Sequence, residues 1–339
     1  MNRAHGDRYS RQILFAPIGP EGQERIQQAT VCIVGCGALG SFQAEAIARA
    51  GIGKLRLIDR DTVDVTNLQR QWLYDEADAE EEKPKAVAAE QRLRRLNSTF
   101  EIEAVVADVT GVNSEELIGS CDVLLDGTDN FETRFLLNDV SVKTGTPWIY
   151  GAAVGSYGIV IPIDPTRGPC FRCIYPEGPA GVHPTCDLAG VLSSTTASVA
   201  ARQVAAALRF LVGWPEFRST IYTVDVWNGT GQTVDAGPRD PLCSTCVQRE
   251  FRYLNGATRT PVSLCGRNAV QLHSQGRRVD LRELASRLQG LGEVRVNDFA
   301  LRLHMAKYDL TVFPDGRAIV RGTTEVPLAR SLYARLVGS

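Results

Sequence analysis

The chain has 339 residues, 44% of them hydrophobic, enough for one large domain and a smaller one. Its 37 basic and 39 acidic side chains leave a net charge of -2, which gives no electrostatic case for nucleic acid or an anionic membrane as the main partner. The N-terminal stretch MNRAHGDRYSRQ lacks the apolar core of a signal peptide, and no apolar run reaches the ~20 residues of a membrane span, so a cytoplasmic enzyme is expected.

In chain order, a helix or loop carries Arg8, Tyr9, Arg11 and Gln12. A β-like run, Thr30 to Val34, enters the turn Gly35-Cys36-Gly37-Ala38-Leu39-Gly40, and an Ala-rich helix follows to about Arg49. A second strand, Lys54 to Ile58, ends at Asp59. Strand, glycine turn, helix and strand make the unit of a parallel α/β sheet. The alternation continues with helices over 85–96 and 131–143 and strands over 101–107, 122–126, 147–150 and 158–163. A long helix over 193–212 opens on Ser and Thr, which suit an N-cap. The expected fold is therefore α/β and Rossmann-like, a largely parallel sheet with flanking helices.

A boundary is placed near Asn255-Gly256, dividing the chain into a nucleotide-binding domain over 1–255 and a small α+β extension over 256–339. In the extension, 281–288 and 327–336 read as helices. Two strands flank the hairpin turn Phe313-Pro314-Asp315-Gly316.

Gly35-x-Gly37-x-x-Gly40 lets backbone approach a phosphate at a helix N-terminus, and Asp59 stands where an acid accepts hydrogen bonds from ribose. Taken alone, this motif reads most simply as NAD binding. The residues downstream favour ATP. Arg70 in Thr66-Asn67-Leu68-Gln69-Arg70, Lys85 at a helix start, and Asp129 and Asn130 after a short strand suit a triphosphate and its Mg²⁺. A dehydrogenase does not need this set.

Cys170-x-x-Cys173 and Cys243-x-x-Cys246 are spaced as two halves of a closed tetrahedral zinc site, a staple without an open coordination position. Local redox disulfides are the competing reading. Cys32, Cys36 and Cys121 read as packing residues. Cys186, in His183-Pro184-Thr185-Cys186-Asp187, lies in a Gly/Pro-rich stretch and reads either as a reactive loop thiol or as an unreactive one.

RYSRQ, GCGALG, IDRDTVDVTNLQRQ, KPK, DGTDN and the paired Cys-x-x-Cys motifs run in order over about three-quarters of the chain. Together they resemble the ubiquitin-activating-type adenylyltransferases of the MoeB, ThiF and HesA kind. The resemblance implies ATP-dependent adenylation of the C-terminal glycine of a ubiquitin-like sulfur-carrier protein ending in Gly-Gly, of the thiazole or molybdopterin type. It also implies a homodimer, and a sulfurtransferase or cysteine desulfurase as a further partner.

By position, Gly35, Gly37, Gly40, Asp59, Asn67, Gln69, Arg70, Lys85, Asp129 and Asn130 would hold ATP, with Asp129 also on magnesium. Arg11 would reach the partner subunit's site. With Arg11, Arg70, Lys85 and Asp129, Cys186 would complete the reactive set by capturing the activated carrier. A rhodanese domain in the tail is excluded because no cysteine follows Cys265. The alternatives are an NAD-dependent oxidoreductase and a non-catalytic nucleotide- or carrier-binding scaffold.

Overall fold

The computed structural model describes residues 8–177, 189–256, 262–264, 268–272 and 278–338. Contacts divide the chain into two compact units, one ending at Ala257 and the other formed mainly by Thr258–Ser339.

The first unit is built on an eight-stranded sheet of order β3-β2-β1-β4-β5-β6-β7-β8. Strands β1 (Thr30–Val34), β2 (Lys54–Asp59), β3 (Glu101–Val106), β4 (Val123–Asp126) and β5 (Trp148–Val154) are parallel. β6 (Tyr157–Ile163), β7 (Thr220–Asp225) and β8 (Thr230–Asp235) add antiparallel strands at one side. The helices are α1 (Ser10–Ile13), α2 (Gly19–Gln28), α3 (Ala38–Ala50), α4 (Glu76–Glu80), α5 (Lys85–Leu96), α6 (Ser114–Ile118), α7 (Phe131–Thr144), α8 (Phe171–Ile174) and α9 (Ser193–Leu211).

Strand alternation feeds two cores, because successive side chains leave opposite faces of a sheet. Val31, Ile33, Leu55, Leu57, Val123, Leu125 and Ile149 pack on the face with α3, α5 and α9. Cys32, Val34, Leu124, Trp148 and Tyr150 pack with Phe135 of α7 and Phe171 of α8 on the other. β8 is exposed along its whole length, which removes the burial pattern that would mark it in sequence. The N-cap of α9 is Leu192 and makes no side-chain cap bond, so Ser193 and Thr195 do not cap this helix as the sequence suggests.

The second unit carries β9 (Val262–Leu264), β10 (Ala269–Leu272), α10 (Leu281–Leu288), β11 (Glu293–Val296), β12 (Leu301–His304), β13 (Asp309–Val312), β14 (Ala318–Arg321) and α11 (Val326–Leu336). Its antiparallel sheet has the order β11-β12-β13-β14-β10-β9. Alternate residues Leu301, Leu303, Leu310, Val312, Ala318 and Val320 bury against Leu284, Leu288, Leu332 and Leu336 of the two helices. The Phe313–Gly316 segment joins β13 to β14 with Val312 opposite Ala318 and Gly316 at φ +78. Among the described residues, no helix is long and apolar enough to cross a membrane.

Candidate functional site

Strand order reverses between β1 and β4, and at such a point the crevice outside the strand C-termini is open to a ligand. Both strands leave the sheet through glycines. The N–H of Gly35 donates to the Ile58 carbonyl at 2.8 Å, and that of Gly127 to the Val34 carbonyl at 2.8 Å. Gly35 has φ +88, and a Cβ there would lie 2.6 Å from the Gly127 carbonyl oxygen. A Cβ on Gly127 or Gly40 would lie 2.1 or 1.8 Å from the Gly35 oxygen. These three glycines let the two loops close on each other.

Gly37 differs. It caps α3, and a Cβ there would meet only the Gly127 oxygen at 3.9 Å. The open space at the glycine turn is therefore beside Gly37, while Gly40 serves loop packing. Gly40→Ala is expected to cost about 3 kcal/mol of stability by forcing backbone apart, read as a drop in the urea midpoint.

Asp59 ends β2 and is almost wholly buried. One carboxylate oxygen accepts the Cys36 N–H at 2.6 Å and the other the Asp61 N–H at 2.6 Å. Each oxygen keeps a second lone pair for a ribose hydroxyl. Burial raises its pKa, and Lys85 opposes that shift. Lys85 opens α5, is buried, and lies 3.6 Å from the Asp61 carboxylate. The Cys36 thiol is buried and its pKa is raised, first by burial and then by Asp59, so it packs and is no nucleophile.

Asn67 ends a 3-10 turn, Val65–Asn67, and its side chain accepts the Asp64 N–H at 3.2 Å. Gln69 is exposed, and Arg70 is half-buried with Nη1 on the Thr66 carbonyl at 2.9 Å. Asn130 caps α7 by accepting the Thr133 N–H at 2.8 Å. Asp129, just before it, is exposed and makes no hydrogen bond among the described residues.

Arg60, which belongs to neither the glycine nor the cysteine pattern, bonds Asp108 at 2.9 Å and approaches Asp61 at 3.8 Å. Burial works against its charge, but Asp108, Asp61, Asp129 and Asp59 outweigh that and raise its pKa. Asp59, Asp61, Arg60, Lys85 and Asp129 thus share one electrostatic neighbourhood at the strand C-termini, suited to a charged nucleotide.

Arg11 is not part of that group. Gln12 of α1 donates to Gln23 at 2.7 Å and to the Ala50 carbonyl at 2.9 Å, and the Tyr9 ring fills the space where Gly51 lacks a Cβ. This ties α1 to the far end of the 13-residue α3, about 20 Å from the glycine turn, with Arg11 exposed. Cys186 and His183 lie outside the described residues, as does Cys265.

The four zinc-spaced cysteines come together, with all Sγ atoms within 4.8 Å of one another. Cys170 and Cys173 are 3.8 Å apart, Cys170 and Cys243 3.6 Å, and Cys173 and Cys246 3.5 Å. A zinc ion about 2.3 Å from four thiolates in a tetrahedron sets sulfur separations of about 3.8 Å, so the cluster fits that ion. These contacts run both within the first pair and between the pairs, and all four thiols are free rather than joined in local disulfides. Asn138 of α7 anchors the site by accepting the Phe171 N–H at 2.8 Å.

Residues 9–245 match the ThiF family. The chain is 42% identical over 335 residues to the sulfur carrier protein ThiS adenylyltransferase of Bacillus subtilis, covering 98% of this chain and 99% of that protein. It is 37% identical to the sulfur carrier protein adenylyltransferase of Thermus thermophilus, over 72% of this chain and 93% of the relative. Among solved structures, Escherichia coli MccB with ATP superposes with TM-score 0.61 at 21% identity, covering 70% of this chain and 74% of that one, a likeness of fold alone.

Proposed function

The chain belongs to the ThiF family, and from that premise we infer that it is a sulfur-carrier-protein adenylyltransferase. It uses ATP to adenylate the C-terminal glycine carboxylate of a ubiquitin-like carrier. The observation that carries this reading is near-full-length likeness, tail included, to an enzyme named for the carrier ThiS. The same extent of likeness favours a thiazole-type carrier over a molybdopterin-type one. An oxidoreductase leaves Arg70, Lys85 and Asp129 without a task, and a non-catalytic scaffold is disfavoured because the phosphate and magnesium set is intact.

In the reaction, a carrier carboxylate oxygen bonds to the α-phosphorus while the bond to the bridging oxygen breaks and its electron pair leaves with pyrophosphate. No side-chain base is needed, because the nucleophile is already an anion. Positioning and charge stabilisation do the work. Asp59 receives the ribose, Gly37 gives the phosphates access to backbone N–H groups, and Asn67, Gln69, Arg70 and Lys85 bind the phosphate oxygens. Asp129 holds magnesium, with Asn130 beside it. Magnesium, when bound, neutralises charge on the departing pyrophosphate. Lys85 can exchange its contact with Asp61 for a phosphate, leaving Asp61 near Arg60.

Cys170, Cys173, Cys243 and Cys246 hold structural zinc. Cys186 is the acceptor that displaces AMP to form a carrier thioester, and Cys186→Ser with undiminished carrier thiocarboxylate formation would remove it from the mechanism. The enzyme works in the cytoplasm with a sulfurtransferase or cysteine desulfurase as sulfur source.

The test is carrier-dependent exchange between pyrophosphate and ATP, offered several carriers ending in Gly-Gly. Exchange with one carrier, lost when its last glycine is removed, is the expected result. No exchange with any carrier by folded, zinc-loaded protein counts against adenylation.

The homodimer completes each site with the partner subunit's Arg11, which explains the exposure of Arg11 far from its own glycine turn. Mixing inactive Arg11→Ala and Asp129→Ala subunits should restore about a quarter of wild-type exchange, since half of randomly paired dimers hold one intact site. No recovery after verified subunit mixing would place Arg11 outside the site.

A further inference from the structure

The chain segment leading to Asp129 is held by a buried polar network. Its hub is Asp126, wholly buried at the end of β4. The Asp126 carbonyl accepts hydrogen bonds from Nε2 of Gln43 on α3 at 3.0 Å and of Gln203 on α9 at 2.9 Å. Gln203 also donates to the Ile149 carbonyl of β5 at 3.0 Å, and Gln43 donates to the Gln203 Oε1 at 2.6 Å. The space for Gln203 exists because residue 151 is glycine, where a Cβ would lie 2.4 Å from the amide.

The Asp126 carboxylate binds the Thr128 N–H and hydroxyl at 2.8 and 2.7 Å through one oxygen, and Arg134 Nε of α7 at 3.2 Å through the other. Arg134 reaches back to the Thr128 carbonyl at 2.7 Å and across to the Gly151 carbonyl at 3.2 Å. The rings of Phe131 and Tyr150 lie 5.3 and 5.0 Å from its guanidinium carbon. Burial opposes the Arg134 charge, but Tyr150, Asp126 and Asp129 together hold its pKa above the ordinary value.

Packing alone does not require this arrangement. A buried ion pair can often be replaced by apolar side chains without loss of stability, so its use here is to fix one geometry. The residue after Thr128 is Asp129, which has no hydrogen bond of its own among the described residues. Its direction is set on one side by the Asp126–Thr128–Arg134 bonds and on the other by the Asn130 cap.

Resting on the adenylation reading, we propose that Arg134 is a positioning residue for the Asp129 carboxylate. Asp126 and Gln203 hold the backbone from which it acts. The planar fork of Arg134 is what the geometry uses, since it bonds Asp126 and Thr128 from two nitrogens at once. A lysine keeps the charge and loses the fork.

The experiment compares full-length Arg134→Lys and Gln203→Met with wild type. Three quantities are read: Tm with zinc content, displacement of a fluorescent ATP analogue by ATP with and without Mg²⁺, and carrier-dependent exchange at varied ATP and Mg²⁺. In Arg134→Lys, Mg²⁺-free ATP affinity and carrier KM stay at wild-type values. The Mg²⁺ needed for half-maximal binding and exchange rises about tenfold, and kcat falls at least tenfold. Gln203→Met moves the same two quantities the same way by about threefold, and it carries the test if Arg134→Lys does not fold.

Folded variants with wild-type Mg²⁺ dependence overturn the assignment. Equal loss of Mg²⁺-free and Mg²⁺-dependent binding also overturns it, in favour of a merely structural network. Absence of wild-type exchange with every carrier would count against adenylation instead, and the binding arm would still judge Arg134.

Discussion

Asp129→Ala lowers carrier-dependent pyrophosphate–ATP exchange by about a thousandfold while leaving Tm and zinc content at wild-type values. The size follows from the site. A metal held at a departing pyrophosphate is worth several kcal/mol of transition-state stabilisation, and each ~1.4 kcal/mol is tenfold in rate. The selectivity follows from the fold. Asp129 is exposed and makes no hydrogen bond among the described residues, so its truncation removes no support from the loop. Asp126→Asn, three residues earlier at the end of β4, is different in kind because that side chain organises Thr128 and Arg134. Exchange assays at saturating Mg²⁺, with thermal melts alongside, check both halves. If Asp129→Ala kept more than a tenth of wild-type exchange, the metal would have to be held elsewhere.

Cys243→Ser, or prolonged chelation, removes the metal from the cysteine cluster and lowers Tm by more than about ten degrees. Cys170 and Cys243 are 73 positions apart, and their sulfurs lie 3.6 Å apart. Losing the ion therefore releases a long stretch of chain and leaves thiols crowded at one point. The cluster sits by Asn138, eight residues beyond the α7 cap at Asn130, a rise of about 12 Å along the helix. Residual folded protein should accordingly keep ATP affinity near wild type even as its half-life shortens. Metal analysis, melting curves and nucleotide titration read these separately. A Cys243→Ser protein with unchanged Tm would mean that the four thiols do not carry a structural ion.

Much of the nucleotide-binding half is legible in sequence because its signals are local. Thr30–Val34, the glycine turn, the Ala-rich α3 and the strand ending at Asp59 follow one another within thirty residues. Two Cys-x-x-Cys pairs announce their own geometry. β8 is not legible, since all six of its residues are exposed and strand alternation has nothing to record. β11, with the mostly exposed sequence Glu293–Val296, escapes for the same reason.

The supporting residues of the site are harder still. Gln203 meets Asp126 across 77 positions, and Gln43 meets Gln203 across 160. No window of sequence contains both partners. The available hint is chemical: Arg134 stands on a helix whose following residues are nearly all buried, and a charge there demands a partner. Arg60 offered a similar hint by following an acid at a strand end. Neither residue belongs to the glycine or cysteine patterns, so both emerge only once the strands are in register.

The cysteine cluster also bears on how the protein is made at the ribosome. Its second pair emerges 73 residues after the first, an interval of about 4–15 s at ordinary synthesis rates. All five parallel strands have left the ribosome before the fourth thiol exists. If the cluster takes up an ion, capture is a late event that fastens a sheet whose eight strands all precede Cys246 in the chain. With zinc as that ion, a cell short of it would accumulate chains whose strands are all made and whose two cysteine pairs are unfastened. The supply of that ion, needed only after most of the domain has been translated, would then limit how many finished chains each message yields.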